Sequence, residues 1–242
     1  MILSKLQIED IATGVIKDFR ETTGIYEMFT PIDQVASDYL SLEVKLAKLS
    51  DDASICGITA YDDTYVELFV NGAKQIMELK QNQVILDSSF IEPGKVRALC
   101  GKRRFTLAHE IAHQILFAME TDSNKEKYRK VYSARTAHTV RELKTHEDWN
   151  EWQANALGAA ILMPQDGIEY FMDLHKQKNR LLSYVGLISE NNNEIIKLFC
   201  MQFGVSKSAG IIRLKELGYL DEYSRTGGYI WEKLEQKSQV MR

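Results

Sequence analysis

The spacing of apolar residues predicts two helices near the start of the chain. Residues 6–20 carry an apolar side chain every three or four positions, as one face of an amphipathic helix does. Residues 31–48 show similar spacing, and Pro31 is typical of the first turn of a helix. We therefore expect a helix over each range.

A different pattern, typical of strands, occupies residues 55–91. Residues 65–70 are rich in β-branched and aromatic side chains and end at Asn71-Gly72, a common hairpin turn pair. Residues 83–87 have the composition of a second short strand. The pattern predicts a small sheet in this part of the chain.

Beyond this sheet, the pattern predicts helix from Phe105 almost to the end of the chain. Met163-Pro164 is expected to end one helix, because proline disfavours a helical conformation in the residue before it. The asparagines at 191–193 are the clearest later break. Residues 120–148 are heavily charged, which predicts a solvated helical excursion or a mobile flap.

Composition and charge are those of an ordinary globular protein. The 242 residues suffice for one large domain, or for one domain with a small appendage. A net charge of −4 argues against a general binder of polyanions. The three cysteines are far apart, and the sequence shows neither a signal peptide nor an apolar run of the roughly 18 residues that a membrane span needs. We therefore expect a cytoplasmic protein that does not interact with membranes.

The stretch His109-Glu110-Ile111-Ala112-His113 carries the most specific chemistry. Two histidines four positions apart project from the same face of a helix, close enough to hold one metal ion. A glutamate beside the first histidine can then act as a base on a metal-bound water. Zinc in a catalytic site takes three protein ligands and keeps one position for water, so a third ligand must come from elsewhere.

Glu151 is the favoured third ligand. The candidates after the motif are Glu142, Glu147, Asp148, Glu151, His138 and His146. Glu151 differs from the others because it starts a predicted helix whose next turns are small or polar on one face. These positions are Ala154, Asn155, Gly158 and Ala159. Two helices with small contact residues approach closely, so a glutamate on one can reach a metal held by the other.

Asn155 is a candidate for supporting the metal ligands. It lies one turn after Glu151 and faces the same way. Metal-bound histidines usually donate their other ring N–H to an oxygen, and the Asn155 side chain could accept from His109 or His113. An ordinary asparagine at a helix contact is the alternative.

These residues carry a resemblance to a known family. The run from Arg103 to His113, followed by Glu151-x-x-Ala154-Asn155 and Ile161-Leu162-Met163-Pro164, resembles the ImmA/IrrE family of zinc metallopeptidases. The resemblance covers roughly residues 5 to 165 and is strongest from 84 onward. It implies a zincin-like α+β fold, in which the motif helix and the Glu151 helix pack on a small, mostly antiparallel sheet.

The resemblance also implies roles for individual residues. It makes His109, His113 and Glu151 ligands of Zn²⁺ and Glu110 the catalytic base. Glu110 would take a proton from the zinc-bound water as it attacks a peptide carbonyl, and would later pass that proton to the leaving amine. The sequence does not choose the donor that shares the developing charge; the candidates are Tyr132, Arg135, His138, Arg141 and His146.

Residues 194–218 have the pattern of a helix-turn-helix pair. Gly204 permits a sharp turn, Ser206 is a good N-cap and Gly218 suits a C-cap. A similar pair often follows the peptidase region in the ImmA/IrrE family.

Whether this pair binds DNA depends on its side chains. A recognition helix displays base-reading and phosphate-binding residues. Here the basic side chains form only a thin stripe of Lys207, Arg213 and Lys215, offset in part by Glu216. DNA binding is therefore not favoured over packing against the peptidase region or docking of a protein.

Together, the patterns and the resemblance predict a zinc metallo-endopeptidase domain over residues 1–175 and a helical extension over 176–242. The family resemblance implies a protein substrate, typically a transcriptional repressor of the helix-turn-helix class. Two alternatives stay open. One is a regulatory or antitoxin-like binding protein on the same scaffold, and the other is a DNA-binding transcription regulator that acts through the helix-turn-helix pair.

Overall fold

In the computed structural model, which describes residues 2–131, 137–139, 148–177 and 180–223, helices alternate with short strands. The described part of the chain has a mixed α+β architecture, as expected. No single helix within it is long and apolar enough to cross a membrane.

Helix α1, Lys5–Thr23, confirms the first predicted helix. Ser4 and Gln7 cap its start reciprocally: each side chain accepts a hydrogen bond from the backbone N–H of the other residue. Gly24 follows its last turn in the left-handed region, with φ 72°. The apolar face of α1 is buried in the main core of the protein.

The second predicted helix, residues 31–48, is wrong beyond its first turns. A short helix α2, Ile32–Gln34, continues as a π-helical turn over Val35–Tyr39. Ser41 then adopts a φ of 55°, and strand β1 spans Glu43–Ala47. The left-handed residue interrupts the helix, and pairing of β1 with a later strand overrides the local helical spacing.

Four further strands form the sheets beside β1: β2 Gly57–Thr59, β3 Thr64–Val70, β4 Ala73–Leu79 and β5 Gln83–Asp87. Strands β3 and β5 confirm the two predicted strands. Strands β3 and β4 form a hairpin through Asn71 and Gly72, whose φ angles of 55° and 71° suit the tight turn.

Strand β5 lies between the two hydrophobic cores. It pairs in parallel with β1 and antiparallel with β2. Val84 and Leu86 belong to the main core, whereas Ile85 belongs to a smaller core beneath β3. All five residues of β5 are buried, because successive side chains of a strand point to opposite faces.

The charged stretch 120–148 is only partly helical. Helix α4 spans Asp122–Val131, and strand β6, Ala137–Thr139, pairs in parallel with β3. The rest of the stretch before residue 148 lies outside the described residues, so the predicted flap stays a prediction.

The sheets with strand orders β1-β5-β2 and β4-β3-β6 each contain one parallel and one antiparallel pair of strands. The expectation of a mostly antiparallel sheet is therefore wrong for the described strands.

The motif lies on helix α3, Val96–Ala118, which packs on helix α5, Asp148–Leu162. Helix α5 ends immediately before Met163-Pro164, as predicted, and helix α6 spans Gln165–Leu174.

The prediction of helix almost to the end of the chain is wrong. Strands β7 Leu181–Tyr184, β8 Leu187–Ile188 and β9 Leu220–Tyr223 form a third small sheet. Val185 and Gly186, with φ of 51° and 78°, make the turn between β7 and β8, which continuous helical geometry does not allow.

The helix-turn-helix pair consists of α7, Glu190–Phe203, and α8, Lys207–Glu216, which bend by 104° at the turn between them. Gly204 adopts a φ of 60°, and the Ser206 side chain caps α8 by accepting from the N–H of Ala209. The break predicted at 191–193 is wrong: these residues form the first turn of α7, because the chain is capped earlier, at Ser189.

Candidate metal centre

The candidate metal-binding residues lie where α3 and α5 approach closely. Gly158 of α5 faces the backbone of α3: a Cβ at this position would lie 3.0 Å from the carbonyl carbon of Ala108 and 3.1 Å from the N of His109. Ala108, Ala112 and Ala154 are fully buried around it. The small residues on both helices therefore permit the close approach of α3 and α5 that the sequence predicted.

This approach brings His109, His113 and Glu151 together. The Nε2 atoms of the two histidines lie 3.1 Å apart. Glu151 Oε2 lies 3.2 Å from His109 Nε2, and its Oε1 lies 3.3 Å from His113 Nε2. The three side chains thus direct two imidazole nitrogens and a carboxylate at a common point.

The spacing and chemistry of these atoms fit a zinc ion. Ligands bound at about 2.0–2.1 Å in a tetrahedron lie roughly 3.3 Å from one another, close to the three separations observed. Two histidines and one glutamate are also a ligand set of catalytic zinc sites, which keep a fourth position for water.

The electrostatics of Glu151 favour its ionised form. Burial raises the pKa of its carboxyl, but hydrogen bonds and charge interactions with His109 and His113 outweigh the burial and hold the pKa below its ordinary value. The carboxylate therefore stays negatively charged, which suits it to bind a cation.

Glu110 is buried beside strand β2. The residue is only 3% exposed, which is rare for a glutamate. A Cβ on Gly57 of β2 would lie 2.9 Å from Glu110 Oε1 and 2.6 Å from the Thr106 methyl group. The absence of a side chain at Gly57 leaves room for this close approach of the strand to the glutamate, and no sequence pattern pointed to Gly57.

The last residue of β2 and the residues that follow it contact the motif helix one turn further on. The Tyr61 hydroxyl lies 3.3 Å from His113 Nδ1, and the Tyr61 ring stacks on Phe117 at 4.3 Å between centroids. The Gln114 side chain donates to the Thr59 hydroxyl and the Ala60 carbonyl, at 2.6 and 2.9 Å. Sequence reasoning missed these contacts because the two segments are over fifty positions apart.

Asn155 is exposed and lines a groove of about 660 Å³ between α3, α5 and α8. Phe105, Trp152 and Ile212 make much of the groove apolar. The predicted hydrogen bond from a histidine to the Asn155 side chain stays a prediction, whereas the structure shows the Tyr61 oxygen beside His113.

Of the other candidate ligands and charge-sharing donors named from the sequence, two lie within the described residues. Asp148 begins α5, and His138 lies in β6. The remaining candidates lie outside the described residues: Tyr132, Arg135, Arg141, Glu142, His146 and Glu147.

The thin basic stripe indicated for α8 is wrong in one of its three residues, Arg213. Arg213 is 1% exposed: it pairs with both carboxylate oxygens of Glu9 on α1 and donates from Nε to the Met163 carbonyl at 3.1 Å. Lys215 pairs with Glu222, and Lys207 donates to Asn193. Each of the three cations therefore contacts a group of the protein itself.

The helix-turn-helix pair is also packed against the motif helix. A Cβ on Gly101 would lie 2.8 Å from the N of Ser206. Arg104 donates to the Gly204 carbonyl at 3.1 Å and to the Thr30 carbonyl at 2.7 Å. Buried residues of α7 and α8 belong to the same core as those of α3 and α5.

Comparison with known proteins identifies the region that contains this centre. A comparison with curated proteins finds no match. Residues 101–215, from the motif helix to the end of α8, match the family model Peptidase_M78, described as the IrrE N-terminal-like domain. This family indicates a metallopeptidase, a class that acts on proteins. The resemblance to the ImmA/IrrE family is thereby confirmed over residues 101–215, which match this family's model.

Proposed function

We propose that this protein is a zinc metallo-endopeptidase in which His109, His113 and Glu151 hold the metal and Glu110 is the catalytic base. The observation that carries the proposal is the mutual separation of the three donor groups, 3.1, 3.2 and 3.3 Å, which suits tetrahedral zinc. The matched family supports the peptidase class.

When bound, zinc would supply Lewis acidity and lower the pKa of a bound water. Glu110 is adjacent to His109 and is held against β2 by the close approach of Gly57. In this position its carboxylate would accept a proton from the attacking water and return it to the leaving amine. The low exposure of Glu110 keeps bulk water from competing for that proton.

The surroundings suit a polypeptide substrate. Strand β2 is an outer strand of its three-stranded sheet in the described part of the chain, and it lies beside Glu110. An extended peptide could pair with such an edge. The apolar groove beside Trp152 could accept side chains of the same substrate.

We further propose, from the family resemblance, that the substrate is a regulatory protein such as a helix-turn-helix repressor. The competing function is a regulatory or antitoxin-like binding protein that uses the same scaffold without cleavage. A base such as Glu110 favours the peptidase, because a structural zinc site is usually closed by four protein ligands.

The test compares zinc-loaded wild type with Glu110→Gln. Each protein is incubated with the soluble proteome of the source organism, and new protein N-termini are identified by mass spectrometry. We expect discrete new termini with wild type and not with the variant, at equal zinc content. Identical patterns with both proteins would contradict the proposed chemistry and favour the binding protein.

A further inference from the structure

We propose that Tyr61 is a positioning residue that holds His113 in the orientation needed to bind zinc. This inference rests on the proposed function, because it concerns a ligand of the proposed metal centre. It is carried by a separate observation: the contact between the Tyr61 hydroxyl and the His113 ring nitrogen that points away from Glu151.

The two nitrogens of His113 face different partners. Nε2 lies 3.3 Å from Glu151 and 3.1 Å from His109, so it is the nitrogen directed at the metal position. Nδ1 lies 3.3 Å from the Tyr61 oxygen. A histidine that binds metal through Nε2 carries its proton on Nδ1, so it donates to Tyr61.

The Tyr61 ring is itself held in place. It stacks on Phe117, with centroids 4.3 Å apart and planes inclined by 15°. Phe117 lies one helical turn after His113, so one helix face presents both contacts to Tyr61. The hydroxyl is therefore fixed relative to the histidine by ring packing as well as by the hydrogen bond.

The backbone before Tyr61 is fixed to the same helix. Gln114 donates to the Thr59 hydroxyl and to the Ala60 carbonyl, the two residues that precede Tyr61. The close approach of Gly57 to Glu110 begins this contact one turn earlier. Residues 57–61 thus run alongside α3 and contact both the proposed base, Glu110, and a proposed ligand, His113.

Tyr61 acts through His113 and not on the substrate, because its hydroxyl meets the nitrogen turned away from the metal position. Outer hydrogen bonds of this kind typically change metal affinity by about 10- to 100-fold. Removal of the hydroxyl should therefore weaken zinc binding and leave the fold intact.

The experiment measures the zinc dissociation constant of purified wild type and Tyr61→Phe by competition with a chromophoric chelator. The variant keeps the ring that stacks on Phe117 and loses only the hydroxyl. The matched control is Tyr170→Phe, on an exposed tyrosine of α6. Thermal unfolding of the metal-free proteins verifies that all three are folded.

We expect Tyr61→Phe to raise the dissociation constant about tenfold and Tyr170→Phe to leave it within twofold. If wild type binds zinc tightly and Tyr61→Phe has the same dissociation constant, the role of Tyr61 is overturned and the proposed function is not affected. Absence of zinc binding by wild type would overturn both this role and the proposed function. If the metal-free Tyr61→Phe protein is unfolded, Tyr61 is structural and the proposal is also overturned.

Discussion

The proposed metal centre and the helix-turn-helix pair present opposite arrangements of polar side chains. In the metal centre, three donor groups from two helices converge within 3.3 Å of one another on a common point. In the helix pair, the cations Lys207, Arg213 and Lys215 each contact a separate acceptor within the protein. Convergent donors prepare a site for a ligand, whereas dispersed internal pairs hold a structure together.

Two equally recognisable sequence patterns therefore correspond to different roles in the molecule. Arg213 would be a phosphate-binding residue on an exposed recognition helix, but here it joins α8 to α1 and to the end of α5. Arg104 similarly joins the turn of the pair to α3. We conclude that the helix pair supports the helices that carry the proposed metal ligands.

Loss of the proposed base should give the largest effect. Glu110→Gln removes the proton acceptor and keeps the size of the side chain, so we expect peptide-bond cleavage to fall by about 10²-fold or more with zinc content unchanged. The rate is measured on the first substrate that the N-terminal mapping identifies. Unchanged cleavage would assign the base to another residue. It would also contradict the description of the metal centre as a site prepared for catalysis.

Breaking the buried pair in the helix-turn-helix region should cost stability. Arg213→Met leaves Glu9 and the Met163 carbonyl without their partner, and we expect the free energy of unfolding to fall by about 3 kcal/mol. The control Lys207→Met removes an exposed cation and should change it by less than about 0.5 kcal/mol. Equal effects in urea denaturation would contradict a structural role specific to Arg213.

The close approach of α3 and α5 can be tested with two glycines. Gly158→Ala places a Cβ 3.0 Å from the Ala108 backbone, and we expect a loss of about 1–3 kcal/mol together with weaker zinc binding. Gly14→Ala in α1 meets nothing within 4 Å and should stabilise the protein by about 0.5–1 kcal/mol. Stabilisation by both substitutions would mean that the two helices are not in tight contact.

The helix pair should bind DNA only weakly and without specificity. Because Arg213 is buried against Glu9 and Lys215 pairs with Glu222, we expect no binding of a fluorescently labelled random-sequence duplex beyond weak non-specific levels, at about 50 mM or 200 mM salt. Fluorescence anisotropy measures this directly. Tight, salt-dependent binding that Lys207→Ala and Lys215→Ala weaken would restore the transcription-regulator alternative.

Local sequence patterns predicted the elements whose signals are local. Helix α1 has its cap and apolar face within 20 residues, and β3 and β5 have the composition of strands. The predicted contact between α3 and α5 followed from small residues at helical spacing, such as Gly158. These features depend on residues close together in the chain.

Other features depend on pairing between distant segments, which one sequence does not reveal. Strand β1 had helical spacing, and only its pairing with β5 makes it a strand. Tyr61 and His113 are 52 positions apart, and Arg213 and Glu9 are 204 apart. Arg213 looked like an exposed cation because helical spacing alone does not show which face of α8 is covered.

The most direct test of the metal centre is the zinc content of purified wild type and Glu151→Ala, measured together by elemental mass spectrometry. Glu21→Ala, on an exposed carboxylate of α1, is the control. We predict about one zinc per chain in wild type and in the control, and much less in Glu151→Ala. Absence of zinc from wild type after incubation with the metal, or equal zinc in all three proteins, would contradict the proposed centre.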